Sequence, residues 1–208
     1  MFKARFQELE EAVLSCSYVL KNKEIGEKEA LYATYEMIEE TIRDKGIVYV
    51  IGNGGSAGIA SHFSCDLIKS LQIPSQTLYD SNLVTCLAND IGYENVFSYP
   101  LQKYLKPQDL LVAISSSGKS PNIVQAAKTA LEIGARVITF SGFLADNPLR
   151  KLGQLNFWVN RCDYGLIETA HFFLLHTLID LWNKRTSQDK EYAEIIRKLN
   201  TKQNKISC

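Results

Sequence analysis

The chain has 208 residues, 46% of them hydrophobic, and its 23 lysines and arginines balance 23 aspartates and glutamates. That length buries a full core in a single domain, and a net charge of zero without a long basic run argues against a nucleic-acid or membrane-surface binder. The five cysteines, Cys16, Cys65, Cys86, Cys162 and Cys208, show no CxxC spacing and follow no signal peptide or long apolar span, which reads as a protein of the reducing cytoplasm.

In chain order, the apolar spacing predicts two amphipathic helices over residues 3–22 and 26–45, parted at Lys21 to Gly26 and stopped at Asp44 to Gly46. The rhythm then changes. Apolar, β-branched runs near 47–52, 75–79, 109–115, 136–140 and 155–159 alternate with helical segments, the mark of a parallel sheet wrapped by helices. The fold class is α/β, with a five-stranded doubly wound sheet of order 2-1-3-4-5 as the working topology. Pro100 and Pro107 bracket a turn-helix connection around Tyr99 to Lys106. A late helix over about 165–184 reads LIETAHFFLLHTLIDLW, apolar nearly all round, so it must be buried within the subunit or against a partner. The segment 1–45 is expected to be a helical pair for oligomerisation, 46–184 the α/β core, and 185–208 a charged helical tail.

Two loops carry the chemistry. GNGGSAG, Gly52 to Gly58, follows the first core strand, and SSSGKSPN, Ser115 to Asn122, follows the third. Each opens a helix. Glycines let the backbone approach an anion, serine hydroxyls donate hydrogen bonds, and the helix N-terminus aims unpaired N–H groups and the positive dipole end at the same point. Strands one and three are neighbours whose connections diverge in the order above, so both loops face one crevice, and a phosphorylated ligand is expected there.

The same residues admit other readings. Gly52, Gly54 and Ala57 satisfy a dinucleotide fingerprint with Asp80 as the ribose acid, but this leaves the second loop unexplained, so neither nicotinamide nor flavin is expected. GKS at Gly118 to Ser120 lacks the P-loop glycine, because Ala113 holds that position. Ser56 and Ser120 are also ordinary helix N-cap types, yet Ser115, Ser116, Ser117 and Ser120 supply more hydroxyls than a cap requires. His62 and Asp66, four residues apart, share a helix face; such a pair binds a divalent metal, orients a base, or forms a surface hydrogen bond. His171 and His176 lie about 140° apart around their helix, so only one of them serves that site.

GNGGSAGIASHF, LANDIGYENVF, ISSSGKSPNIVQAA and the late ETAHFFLLH helix together resemble a sugar isomerase (SIS) domain of the phosphoheptose isomerase type, from the first helix to about Lys184. The resemblance implies a homotetramer with active sites at subunit contacts. It also implies interconversion of sedoheptulose 7-phosphate with an aldoheptose 7-phosphate, for a bacterial surface glycan. The phosphate would be held by Asn53, Gly54, Ser56, Ser115, Ser116, Ser117 and Ser120, with Asp90 as the acid of the LAND stretch. Asp66 and His176 would transfer the proton, with Glu168 as the alternative base, and zinc would sit among His62, Asp66, Glu168 and His176. His171 is expected to be an interior hydrogen-bonded residue.

The chain departs from the family at four positions. Asp66 stands for a glutamate, Glu168 for a glutamine, Gly165 for an aspartate and Lys119 for an asparagine. Glu168 and His176 are about 12 Å apart along their helix, so joint action at one centre requires two subunits. A phosphosugar-binding or protein-binding SIS protein without catalysis, and an isomerase of another phosphosugar, are the alternatives.

Overall fold

The computed structural model describes residues 1–186. The charged tail expected beyond them lies outside the described residues. The chain enters through α1 (Phe2–Leu14), an antiparallel hairpin of β1 (Cys16–Leu20) and β2 (Lys23–Ile25), and α2 (Glu27–Arg43). The core follows as β3 (Val48–Ile51), α3 (Gly55–Leu71), β4 (Ser75–Gln76), α4 (Ser81–Ile91), α5 (Ser98–Tyr104), β5 (Leu110–Ser115), α6 (Pro121–Ile133), β6 (Arg136–Ser141), β7 (Leu155–Val159) and α7 (Tyr164–Thr186). The sheet order is β2-β1-β7-β6-β5-β3-β4.

The five core strands therefore lie in the expected 2-1-3-4-5 order, and every neighbouring pair among them is parallel. Period-two alternation explains the layers. Val48, Val50, Leu110 and Val112 face a cluster with residues of α2, α3 and α7, while Tyr49, Ile51, Leu111 and Ala113 face one with residues of α5 and α6.

Two expectations need correction. The sheet has seven strands and is mixed, and the first expected helix stops at Leu14. Cys16, Tyr18 and Leu20 alternate, and Tyr18 lies opposite Phe157, so β1 covers the edge that β7 would otherwise leave open. Tyr18 meets Phe157 edge-on at 5.3 Å, and Phe157 stacks on Phe140 at 4.4 Å. Lys21 and Asn22 turn the hairpin with both φ angles positive, 48° and 66°, the geometry of a two-residue hairpin loop. Helical periodicity misread this stretch because β1 is only five residues long and its turn lacks glycine.

Helix α7 packs on α3 and buries Leu166, Ile167, Ala170, Leu175, Leu178 and Ile179, but leaves Phe172 and Phe173 38% and 52% exposed. His171 is fully buried, and its Nε2 lies 3.1 Å from the Ser141 carbonyl oxygen at the end of β6. Burial lowers its pKa from 6.5 to about 4. The unfolded chain therefore takes up a proton between pH 6.5 and 4 that the folded chain refuses, so this group makes stability fall as pH falls through that window. His171→Gln should flatten the slope of unfolding free energy against pH between 6.5 and 4 in urea titrations. An unchanged slope would refute the assignment.

Candidate functional site

The first loop leaves β3 and enters α3 through Gly54, whose φ of 52° and ψ of −122° suit only glycine. The following N-terminus aims at the mouth of the sheet. The serine loop leaves β5 beside it, turning with the Gly118 N–H donating to the Ser115 carbonyl at 2.9 Å and Gly118 φ at 63°. A neighbouring strap fixes that turn. The Leu149 N–H donates to the Gly118 carbonyl, the Gly142 N–H to the Ser116 carbonyl, and the Asn147 side chain lies where a Gly118 Cβ would stand.

The capping account holds for the position of Ser120 but not for Ser56, and in neither case for a side-chain bond. The N-cap of α3 is Gly54, which leaves Ser56 inside the helix, and Ser120 is the N-cap of α6 but makes no side-chain cap bond. The hydroxyls instead address one another: Ser56 Oγ is 3.4 Å from Ser116 Oγ across the crevice, and Ser115 Oγ is 3.1 Å from Ser120 Oγ within the serine loop. Ser115 and Ser116 are buried, while Ser117 and Ser120 are half-buried and open to a ligand. Asn53 and Asn122 pair their amides between the loops at 2.8 and 2.9 Å.

The expected phosphate residues Asn53, Gly54, Ser56, Ser115, Ser116, Ser117 and Ser120 thus fall on two facing loops. Asp90 lies on the exposed last turn of α4, where it accepts from Asn89 and Cys86 on its own helix. Asp80, the acid of the dinucleotide reading, caps α4 by accepting from the Leu83 N–H. Lys119 is exposed, with its backbone N–H donated to Ser117 Oγ.

The second cluster lies where α3 meets α7. His62 Nε2 is 3.1 Å from Asp66 Oδ2 and 3.2 Å from His176 Nε2, and the His176 nitrogen is 3.9 Å from the same carboxylate oxygen. One chain assembles all three. The crevice is completed by Ile59, Phe63, Phe172 and Leu175. Glu168 is not among them. Its carboxylate lies over Gly55 and accepts a long 3.5 Å bond from Ser116 Oγ, so the expected four-ligand set is divided within the chain. The axial separation of Glu168 from His176 causes that division.

The donor set suits a small divalent ion. Tetrahedral zinc with bonds near 2.0–2.1 Å holds its ligand atoms about 3.3 Å apart, close to the spacings above. Asp66 Oδ2 is buried and, despite its nearness to His62, has no hydrogen bond of proper geometry. An oxygen so placed is a free electron-pair donor facing two imidazole nitrogens.

Sequence reasoning missed several supports of the first loop. Tyr79 accepts the Gly52 N–H at 2.6 Å and donates to the Gly52 carbonyl at 3.0 Å, and Tyr93 donates to Asn53 Oδ1 at 3.2 Å. Tyr93 lies within the LANDIGYENVF motif and Asn122 closes SSSGKSPN, but which side chains they would reach was not legible.

A family model for the SIS domain matches residues 14–142. The phosphoheptose isomerase of Campylobacter concisus is 34% identical over 149 residues, covering 69% of this chain and 78% of that one. A phosphoheptose isomerase of Helicobacter pylori, strain Shi470, is 30% identical over 179 residues, covering 78% and 93%. The solved phosphoheptose isomerase of Neisseria gonorrhoeae superposes with a TM-score of 0.75 at 26% identity, covering 86% of this chain and 95% of that one.

Proposed function

The chain belongs to the SIS domain family, of the phosphoheptose isomerase type, and from that premise we propose that it interconverts sedoheptulose 7-phosphate and D-glycero-D-manno-heptose 7-phosphate. The observation that carries this reading is the spacing of the two clusters. Ser56 and His62 are six residues apart on α3, about 9 Å of helix axis. A seven-carbon sugar extended from its phosphate to C1 covers roughly 10 Å at C–C bonds of about 1.5 Å. The loops therefore take the phosphate, and C1 and C2 come to rest beside Asp66 and His176.

Asn53, Gly54, Ser56 and the Ser115 to Ser120 hydroxyls, with two helix N-termini, hold the phosphate dianion. Asp66 removes the proton from the carbon next to the carbonyl, and the proton returns to the neighbouring carbon after the enediol forms. His176 exchanges protons with the sugar oxygens, and His62 stands 3.1 Å from the Asp66 carboxylate. Asp90 takes no part in this assignment. In a zinc-loaded centre His62, Asp66 and His176 would hold the ion, which would then supply Lewis-acid stabilisation of the enediolate oxygens in place of the proton exchange assigned here to the His176 nitrogen. The cytoplasm is the compartment proposed, in keeping with Cys16, Cys65, Cys86 and Cys162, which are all free thiols.

We propose further that the enzyme is a homotetramer whose sites are completed at subunit contacts. The support is apolar surface: Phe2, Phe6 and Leu14 of α1 are 94%, 66% and 78% exposed, and Phe172 and Phe173 of α7 lie open beside the His62 crevice. In the assembly, Glu168 of a second copy joins the centre that its own helix keeps it from. Sedimentation should return a tetramer, and a stable monomer at micromolar concentration would remove the interfacial site.

The experiment for the reaction is incubation with a panel of ketose phosphates in deuterated water. Solvent deuterium at the transferred carbon of sedoheptulose 7-phosphate is the expected result. Exchange into a different ketose phosphate would reassign the sugar. Tight phosphosugar binding without exchange into any of them would replace the isomerase with a catalytically silent binding protein.

A further inference from the structure

The amide of Asn53 is held by more partners than a phosphate ligand needs. Asn122 Nδ2 donates to Asn53 Oδ1 at 2.9 Å, and Asn53 Nδ2 donates back to Asn122 Oδ1 at 2.8 Å. Tyr93 OH donates to the same Asn53 oxygen at 3.2 Å. An amide oxygen has two lone pairs, so these two donors use its accepting capacity. The amide cannot turn over, because that would set an N–H of Asn53 against the N–H of Asn122 and its carbonyl oxygen against the Asn122 oxygen; the Tyr93 hydroxyl, which could accept as well as donate, adds its hydrogen bond to the orientation Asn122 selects.

Asn122 is itself fixed. It is 1% exposed in the first turn of α6, and its Oδ1 also accepts the Ile123 backbone N–H at 3.0 Å. A side chain so buried does not touch a ligand in the crevice. From this geometry we infer that Asn122 and Tyr93 are positioning residues that clamp Asn53 with its remaining N–H available to an anion, and that the amide pair sets the separation of the two loops.

The chemical reason is one of sign. A phosphate dianion is held by donors and repelled by a carbonyl oxygen, and a free asparagine presents either end. The clamp removes the wrong orientation before the ligand arrives, so no binding energy is spent on selecting it. The same pair joins the first loop to the helix that follows the serine loop, and tightening at one is felt at the other.

This inference rests on the phosphate-cradle reading, and the test separates the two. Inorganic phosphate binding is measured by calorimetry for wild type, Asn53→Ala, Asn122→Ala and the double variant, with a thermal melt of each. Asn122→Ala should weaken phosphate about tenfold in the wild-type background, the loss of one charge-assisted hydrogen bond. In the Asn53→Ala background it should change affinity less than about twofold, while its melting temperature should fall there too, by the loss of its bond to the Ile123 N–H. A tenfold loss in both backgrounds would make Asn122 merely structural and overturn the clamp, as would unchanged affinity in the wild-type background. If Asn122→Ala does not fold, Tyr93→Phe at its exposed position carries the same comparison, with a smaller loss that must again vanish without Asn53. Failure of the wild type to bind phosphate would overturn the cradle itself, and the clamp with it.

Discussion

Asp66→Asn should lower turnover by about 10² to 10⁴-fold while leaving phosphosugar affinity nearly intact, and His176→Gln should do the same. The two side chains meet His62 Nε2 at 3.1 and 3.2 Å, so both act at the carbon end of the substrate and neither contributes to the phosphate cradle. An amide in place of the Asp66 carboxylate keeps the volume and abolishes the base, which separates chemistry from packing. The alternative base is open to the same measurement. Glu168 lies over Gly55 and beside Ser116, at the phosphate end of its own chain, so Glu168→Gln should cost far less turnover than Asp66→Asn unless a second copy carries Glu168 to the centre. A large loss for Glu168→Gln with a small one for Asp66→Asn would transfer the role of base to the neighbouring subunit. Wild-type turnover in all three variants would end the isomerase reading. Single-turnover kinetics with each variant, together with phosphosugar binding, decide among these outcomes.

The double variant Ser117→Ala/Ser120→Ala should raise KM by about a hundredfold or more with little effect on stability. Each hydrogen bond to an anion contributes roughly 1.5–3 kcal/mol, and two are removed. Stability is spared because Ser120 caps α6 without a side-chain cap bond, and because both residues are half-buried at the mouth of the crevice. The Ser115 to Ser120 contact at 3.1 Å is the only side-chain hydrogen bond of Ser120 that is lost among the described residues. Ser115→Ala or Ser116→Ala would be a less discriminating choice, since both hydroxyls are buried and engaged, Ser115 with Ser120 and Ser116 with Ser56 and Glu168. An unchanged KM in the double variant, with urea midpoints also unchanged, would reduce the serine loop to a strand-to-helix turn.

The positions of the core strands and of both loops were legible because they follow local rules, whereas the order of the strands was a working topology that the sheet itself settles. Runs such as VYVI and LLVAI are buried at every position, as strands covered on both faces must be, and the glycines and serines stand where those strands end. For the late helix, angular spacing showed only that one of His171 and His176 can serve the site, and the family resemblance selected His176; His171 is indeed buried. The hairpin β1–β2 was not legible. Its alternation is too short to outweigh the helical spacing around it, and what stabilises it is the exposed edge of β7, 135 residues or more further along the chain.

At the site, the sequence by itself determined which chemical groups were on hand: two anion-binding loops, an i,i+4 histidine and carboxylate, and a second histidine on a late helix. Tertiary structure decided which of them meet. The packing of α3 on α7 brings His176 to His62 and Asp66 within one chain, and the length of α7 keeps Glu168 with the phosphate loops. It also engages Asn53 with Asn122 and Tyr93, contacts that join residues 69 and 40 positions apart. Periodicity reports the face of an element on which a residue lies, whereas contact between two elements depends on their crossing and register, which are set by how all the buried side chains pack together.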